Sequence, residues 1–195
     1  MKNLFALMAA LPLLLSACTS ALNPRIVIET DMGSIEAEIF LKEAPITASN
    51  FLYHIDAGTF MEHETVFYRV VRLDNQPRSA TDIEVIQGGL YRDEIVDAIK
   101  PIEHETTQTT GIRHTDGILS MARNQPGTAS TEFFICIGDQ PGLDYGGSRN
   151  SDGQGFAAFG KVVKGMDVVK QIQLLPDSGQ YLQHPVRIRL IRRID

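Results

Sequence analysis

Three features stand out because their chemistry does not suit their surroundings. Arg69 sits in the otherwise apolar run ETVFYRVV, Gln87 precedes a glycine pair in VIQGG, and Phe133 and Phe134 stand side by side in STEFFICIGD. A guanidinium and an amide donate hydrogen bonds, and an aromatic face holds an apolar group; none of the three is a nucleophile. Each also has a plain structural reading. An arginine can lay its stem over apolar surface with its head in water, and Gly88 and Gly89 alone are ordinary turn residues. The aromatic pair is harder to dismiss, because neighbouring strand side chains point to opposite faces. Period 2 puts Phe133, Ile135 and Ile137 on a core face, and Glu132 and Phe134 together on the other.

Other chemistries are poorly supported. The chain has no G-x-S-x-G, no P-loop and no dinucleotide fingerprint. In SRNSDG (148–153), Asn150, Asp152 and Gly153 mimic a calcium loop, but Phe159 stands where the closing acid belongs, so a polar turn is expected. The five histidines are scattered without metal-binding spacing and are expected at the surface or the core edge; His54 and His184 have no evident partner, and neither metal nor cofactor is expected. Cys136 reads as a small buried hydrophobe, and as the one cysteine of the domain it has no internal disulfide partner. A net charge of −6 argues against nucleic acid as a partner. The arginine-rich VRIRLIRRI has the alternation of a half-exposed strand.

Several short elements must position these residues. RIVIET and IEAEIF alternate around the turn Asp31–Ser34 and form a hairpin. APITASNFLYHIDAG reads as a helix, with Pro45 in its first turn, Gly58 at its end and Ile46, Phe51, Leu52 and Ile55 on its core face. In ETVFYRVV, strict alternation places Phe67, Arg69 and Val71 on one face and Val66, Tyr68 and Val70 on the other. RLDNQPRSATD (72–82) is a polar loop and IEVIQGG a short strand. The segment 91–116 reads mostly as loop. GILSMA, EFFICIG and FAAFGKVV are strands, MDVVKQIQ is a second helix, and VRIRLIRRI closes the domain. Short strands, two separated helices, 16 glycines, nine prolines and no βαβ alternation imply a mainly β, antiparallel barrel or sandwich of one domain.

The first residues read differently. MKNLFALMAALPLLLSAC joins a basic start to an apolar run too short to span a bilayer, then to small residues. Its end, Leu15-Ser16-Ala17-Cys18, resembles the lipobox of bacterial lipoproteins, which implies a signal peptide over 1–17, lipidation at Cys18 and a linker over 18–24. The expected location is the periplasm-facing cell envelope, anchored to a membrane through Cys18; an ordinary secretory signal, giving a soluble periplasmic protein, is the alternative.

From about residue 25 to the C-terminus, APITASNF, FYRVV, VIQGG, GILSMAR, STEFFICIGD and FAAFGKVVKGMDVV follow the order found in cyclophilin-type peptidyl-prolyl cis-trans isomerases. The resemblance implies a closed eight-stranded antiparallel barrel capped by two α-helices over 25–195. It also implies proline-containing polypeptides as partners, a monomer, and catalysis of X-Pro rotation without a cofactor. By the same resemblance Arg69 is the donor to the proline amide, and Gln87 orients it and the substrate carbonyl. Phe134 is the floor of the proline pocket, with Leu143 and Phe156 as walls. Val85, Ala122, Arg123 and Glu132 complete the substrate-binding set, with backbone groups at Arg123 holding the extended peptide.

This sequence also departs from the family pattern. Glu84 and Val85 replace an aromatic-methionine pair, about ten extra residues separate Arg69 from Gln87, and Phe156 stands at a common histidine position. Glu132 replaces a common glutamine and adds a negative charge able to pair with Arg69. Gly142 takes the place of the tryptophan associated with strong cyclosporin binding, so weak binding is expected. A binding module for proline segments with little turnover is the second functional reading.

Overall fold

The computed structural model describes residues 23–77 and 81–194. The 1–17 signal segment and the Cys18 lipidation site lie outside the described residues, as do residues 78–80 of the polar loop. β1 (Arg25–Thr30) and β2 (Gly33–Ile39) pair as the expected hairpin. Thr30 Oγ1 ties the turn by accepting the Met32 N–H and donating to the Gly33 carbonyl. β3 (Thr65–Val71), β4 (Val85–Leu90), β5 (Ile118–Met121), β6 (Phe133–Cys136) and β7 (Ala157–Lys164) follow, then a two-residue β8 (Asp177–Ser178) and the long β9 (Tyr181–Arg193). Every pairing is antiparallel, in the order β1-β2-β7-β5-β6-β4-β3-β9, and β9 returns to β1. Eight strands thus close into a barrel, leaving no long open edge. β8 extends only the start of β9.

The barrel interior is filled by alternate strand residues, among them Ile26, Ile28, Ile35, Ile86, Leu119 and Ile135, all fully buried. The alternation of β9 slips a phase at its pairing with β1, where Leu190 faces Glu29 but Ile188 faces Thr30. The slip returns Ile191 to the interior beside Val186 and Ile188 while Arg187, Arg189 and Arg192 stay outside.

Helix α1 (Pro45–Asp56) covers one end of the barrel. Its N-cap residue, Ala44, has no side chain able to cap, and the Glu105 carboxylate accepts the N–H groups of Ile46 and Thr47 instead (3.2 and 2.6 Å). Phe51 then packs on Phe133 and Phe159, at centroid distances of 5.2 and 4.9 Å. Ile46 is not part of this core face: it is 40% exposed. At about 100° per residue it lies well round the helix from Phe51. The short α2 (Thr59–Glu62) follows, and His54 Nδ1 meets Thr59 Oγ1 at 3.1 Å, a partner the sequence did not suggest. The segment expected as loop contains two further single turns, α3 (Asp93–Val96) and α4 (Thr107–Thr110). Helix α5 (Met166–Gln173) buries Val168, Val169 and Ile172 at the other side.

Candidate active site

One irregularity in β3 sets the whole site. Phe67 pairs with Gly88 of β4 and Arg69 with Gln87, so Tyr68 is an extra residue opposite nothing. This β-bulge shifts the phase of alternation. Phe67 and Val70 enter the barrel core, while Arg69 and Tyr68 turn outward toward a groove on the barrel surface. Strict alternation, which put Phe67 and Arg69 on one face, is therefore wrong across this strand. The glycine pair of β4 makes room for β3 on one side and for the Glu132 carboxylate on the other. A Cβ at Gly88 would lie 2.5 Å from the Val66 carbonyl oxygen, and one at Gly89, where φ is +146°, 2.2 Å from Glu132 Oε1.

The groove has a volume of about 930 Å³ and brings together every residue the sequence singled out for binding or catalysis. Arg69, Gln87, Val85, Ala122, Arg123, Glu132, Phe134, Leu143 and Phe156 all line it. Arg69 is held from two sides. Nη1 donates to Gln87 Oε1 at 2.8 Å, and Nε and Nη2 both donate to Gln180 Oε1 at 3.1 and 2.6 Å. The described residues thus commit three of the five guanidinium N–H groups and leave one on each Nη. Gln180 was not foreseen. It lies between β8 and β9 with φ +76°, the one non-glycine residue at positive φ among the described residues. Asp177 fixes that turn by accepting the Gln180 N–H and hydrogen bonds from Arg72 and Asn75.

Glu132 does not pair with Arg69. Its Oε2 accepts the Tyr68 hydroxyl at 2.6 Å, and that hydroxyl in turn accepts from Gln87 Nε2 at 2.8 Å. A directed chain results, because the tyrosine proton goes to the carboxylate, so its lone pair faces the Gln87 amide and the Gln87 carbonyl faces Arg69. Glu132 Oε1 is sealed from solvent without a hydrogen-bond partner of ordinary geometry. Burial pushes the Glu132 carboxyl up to about 7; the Tyr68 bond and the nearby Leu90 backbone oppose the rise, and the Asp93 charge adds to it. The Tyr68 hydroxyl is raised by burial and by Glu132.

The pocket floor is built on a buried polar chain. Phe134 is only 4% exposed, lies edge-on to Phe156 at 5.3 Å and stacks on the His114 ring at 6.0 Å. His114, expected at the surface or core edge, is fully enclosed: Nδ1 lies 2.8 Å from Asp144 Oδ1 and Nε2 2.9 Å from Ser120 Oγ. The Asp144 carboxylate can only accept, so Nδ1–H donates to it, while Nε2 shares the second hydrogen bond with the Ser120 hydroxyl. Burial would raise the Asp144 carboxyl, but the His114 ring and backbone N–H bonds outweigh it and hold it below the usual carboxylate range. Ser120, His114 and Asp144 have the order of a hydrolase triad, yet Ser120 is fully buried and no substrate carbonyl reaches it. This chain supports Phe134 rather than reacting. Across the pocket, Arg123 sits 5.1 Å over the Phe156 ring and is bound by Asp152 and the Gly155 carbonyl. Asp152 of the calcium-like stretch thus serves an ion pair, within a turn, as the polar-turn reading expected.

The inserted loop packs behind the groove lining, where Gln76 and Thr81 hold Arg149. Gln76 folds it by bonding Ile83 through both side-chain atoms, and Thr81 Oγ1 meets Ser148 Oγ at 2.7 Å. A Cβ at Gly142 would lie 2.6 Å from Thr81 Cγ2, so Thr81 occupies the space of a side chain at 142.

Comparison with known proteins agrees with this geometry. Residues 25–193 match the family described as cyclophilin type peptidyl-prolyl cis-trans isomerase/CLD. A peptidyl-prolyl cis-trans isomerase of Acinetobacter baylyi is 36% identical over 169 residues, covering 85% of this chain and 80% of the relative. Peptidyl-prolyl cis-trans isomerase B of Escherichia coli is 32% identical over 151 residues, covering 76% and 83%. A crystal structure of a cyclophilin type isomerase from Cryptosporidium parvum shares the fold, with TM-score 0.68 at 21% identity over 89% of this chain and 98% of that one. The same protein in the presence of the dipeptide Ala-Pro gives 0.67, also at 21% identity, over 88% and 99%.

Proposed function

The chain belongs to the cyclophilin-type peptidyl-prolyl cis-trans isomerases, and we propose that Arg69 and Gln87 carry its reaction on proline-containing polypeptides. Peptide rotation has a barrier of about 18–20 kcal/mol because the C–N bond is partly double. As the bond twists, the lone pair returns to the proline nitrogen, and a donor aimed there favours the twisted state over both planar isomers. The observation that carries the assignment is the clamped guanidinium: Arg69 is fixed by Gln87 and Gln180 and keeps one N–H on each Nη for the groove. Phe134, Leu143 and Phe156 offer the proline ring an apolar socket, and the backbone at Ala122 and Arg123 borders the same groove for the extended peptide. Val85 and Glu132 complete the lining. The reaction needs neither metal nor cofactor. The test is catalysed cis/trans exchange of a proline peptide by the full-length protein. Arg69→Ala should lower kcat/KM by about two to three orders of magnitude with the folded signature retained; undiminished turnover would refute the role.

The cellular setting is inferred from sequence. The lipobox-like Leu15–Cys18 supports export, lipidation at Cys18 and attachment to a membrane of the bacterial envelope, where the enzyme would act on folding exported proteins. Acyl chains contribute about 0.8 kcal/mol per buried CH₂ to such an anchor. The domain then begins near residue 25, and a monomer is the working state. Weak cyclosporin binding is proposed because Gly142 lacks the family's tryptophan and Thr81 fills its place.

A further inference from the structure

Arg149 is a second guanidinium in the groove, and the reaction just described does not use it. It lines the cavity together with Arg69. Its Nη1 donates to Gln76 Oε1 at 3.2 Å and to the Thr81 carbonyl at 2.8 Å, both neutral acceptors and both on the inserted loop. The partners of Arg69, Gln87 and Gln180, are neutral as well. Arg123, the third arginine of the groove, differs, because Asp152 neutralises it through both Nη atoms at 2.8 and 2.9 Å.

Two half-buried cations therefore share one groove, with no carboxylate of the described residues within ion-pair distance of either. Burial and then Arg69 pull the Arg149 guanidinium below its ordinary value, and Asp82 opposes them only through space. The other acids of the groove, Glu132, Asp93 and Asp97, make no ion pair with either arginine among the described residues, and Glu132 is already engaged by Tyr68. Like charges that share a partly desolvated site without a counter-ion favour an anionic ligand.

The position of Arg149 says which part of a ligand it would meet. Its backbone N–H donates to the Gly142 carbonyl at 3.1 Å, and Gly142 adjoins Leu143, a wall of the proline socket. Described residues engage only Nη1, which leaves Nε and Nη2, the side-on fork that takes both oxygens of a carboxylate.

We infer that Arg149 forms a carboxylate subsite beside the proline socket, so that the enzyme prefers prolines adjoined by an aspartate or glutamate. This rests on the isomerase reading of the groove. The inserted loop, by holding Nη1, leaves the Nε/Nη2 fork of this groove-lining arginine free for a ligand.

The test uses the full-length protein and two peptide series, with Glu, Gln or Lys immediately before or immediately after one proline. Catalysed exchange is followed by NMR, and binding by titration of the same peptides. On one side of the proline, Glu should exceed Gln by about tenfold in kcat/KM and in affinity, with Lys below Gln. Added salt should shrink the ratio, Arg149→Met should bring it to about one, and Arg149→Lys should leave part of it. A Glu-to-Gln ratio near one on both sides, or a ratio indifferent to salt and to both substitutions, would overturn the subsite. If no peptide is turned over, the isomerase reading fails, and the binding ratio still decides the subsite.

Discussion

Arg69 and Gln180 lie 111 residues apart in the chain, yet one amide oxygen of Gln180 accepts two hydrogen bonds from the Arg69 guanidinium, at 3.1 and 2.6 Å. The amide reaches that place only because Gln180 adopts a left-handed backbone conformation that disfavours any side chain. The clamp and the strain separate on substitution. Gln180→Ala and Gln180→Gly both release Arg69, and both should lower kcat about tenfold. Glycine fits the turn without strain, so the glycine variant should be about 1 kcal/mol more stable than the alanine variant in urea unfolding. Equal stability of the two, with full activity, would remove Gln180 from the positioning role.

The buried chain beneath the pocket floor gives a contrasting expectation. His114→Leu leaves the Asp144 carboxylate and the Ser120 hydroxyl without their shared partner, at a cost of about 2–4 kcal/mol in urea unfolding. Ser120→Ala removes only one end and should cost about 1 kcal/mol, with kcat/KM within a few-fold of wild type. A loss of activity on Ser120→Ala as deep as that expected for Arg69→Ala would mean that the triad-like order is functional after all.

Much of this site was legible residue by residue. Period 2 divides Phe133 from Phe134 correctly, because β6 is a regular strand whose faces see a core and a groove. In β3 the same rule fails at Tyr68, since a bulge changes the phase without changing composition. Partners brought together by the fold left no local signal. Glu105 caps α1 by accepting the N–H of Ile46 from 59 residues away, His114 finds Asp144 across 30 residues, and Gln180 reaches Arg69 from a turn that glycine would ordinarily mark. The departure at Gly142 was visible in sequence; its reason, Thr81 of the inserted loop, appears only once the loop is folded.

That contact has a testable consequence. Gly142→Trp should not create tight cyclosporin binding, because the new side chain would meet Thr81 Cγ2 and displace the loop from Ser148. The variant should lose about 1–3 kcal/mol of stability, as overpacked sites do. Thr81→Gly in the same protein should recover part of that loss. Both are measured by thermal unfolding beside a cyclosporin titration, and a single Gly142→Trp change that binds tightly without loss of stability would contradict the packing argument.

The proposed anchor predicts where the protein is found. In cells expressing the full chain, activity should sediment with membranes and the protein should incorporate labelled fatty acid. Cys18→Ala should abolish the label and prevent lipid attachment at that position. Unlabelled wild-type protein in the soluble fraction would favour the ordinary secretory signal.

Glu132 makes the sharpest pH prediction. Its carboxyl is raised in the fold to about 7, chiefly by burial, whereas in the unfolded chain it returns to an ordinary glutamate value. Between those two values the folded state binds more protons than the unfolded one, so stability falls as pH rises. The contribution is fully present below about pH 4 and is lost as pH passes through about 7, on the order of 3 kcal/mol in all. Glu132→Gln has no proton to lose, and its amide oxygen can still accept the Tyr68 hydroxyl. The variant should therefore overtake wild type in stability between pH 5 and 8, with the gap widening toward the alkaline side. Above pH 8 the carboxylate is fully formed, and the gap should stop growing. Urea unfolding of both proteins at pH 5, 7 and 8.5 reads this directly. A difference that stays constant across the three values would mean that Glu132 titrates as an ordinary surface glutamate and that its Oε1 is hydrated.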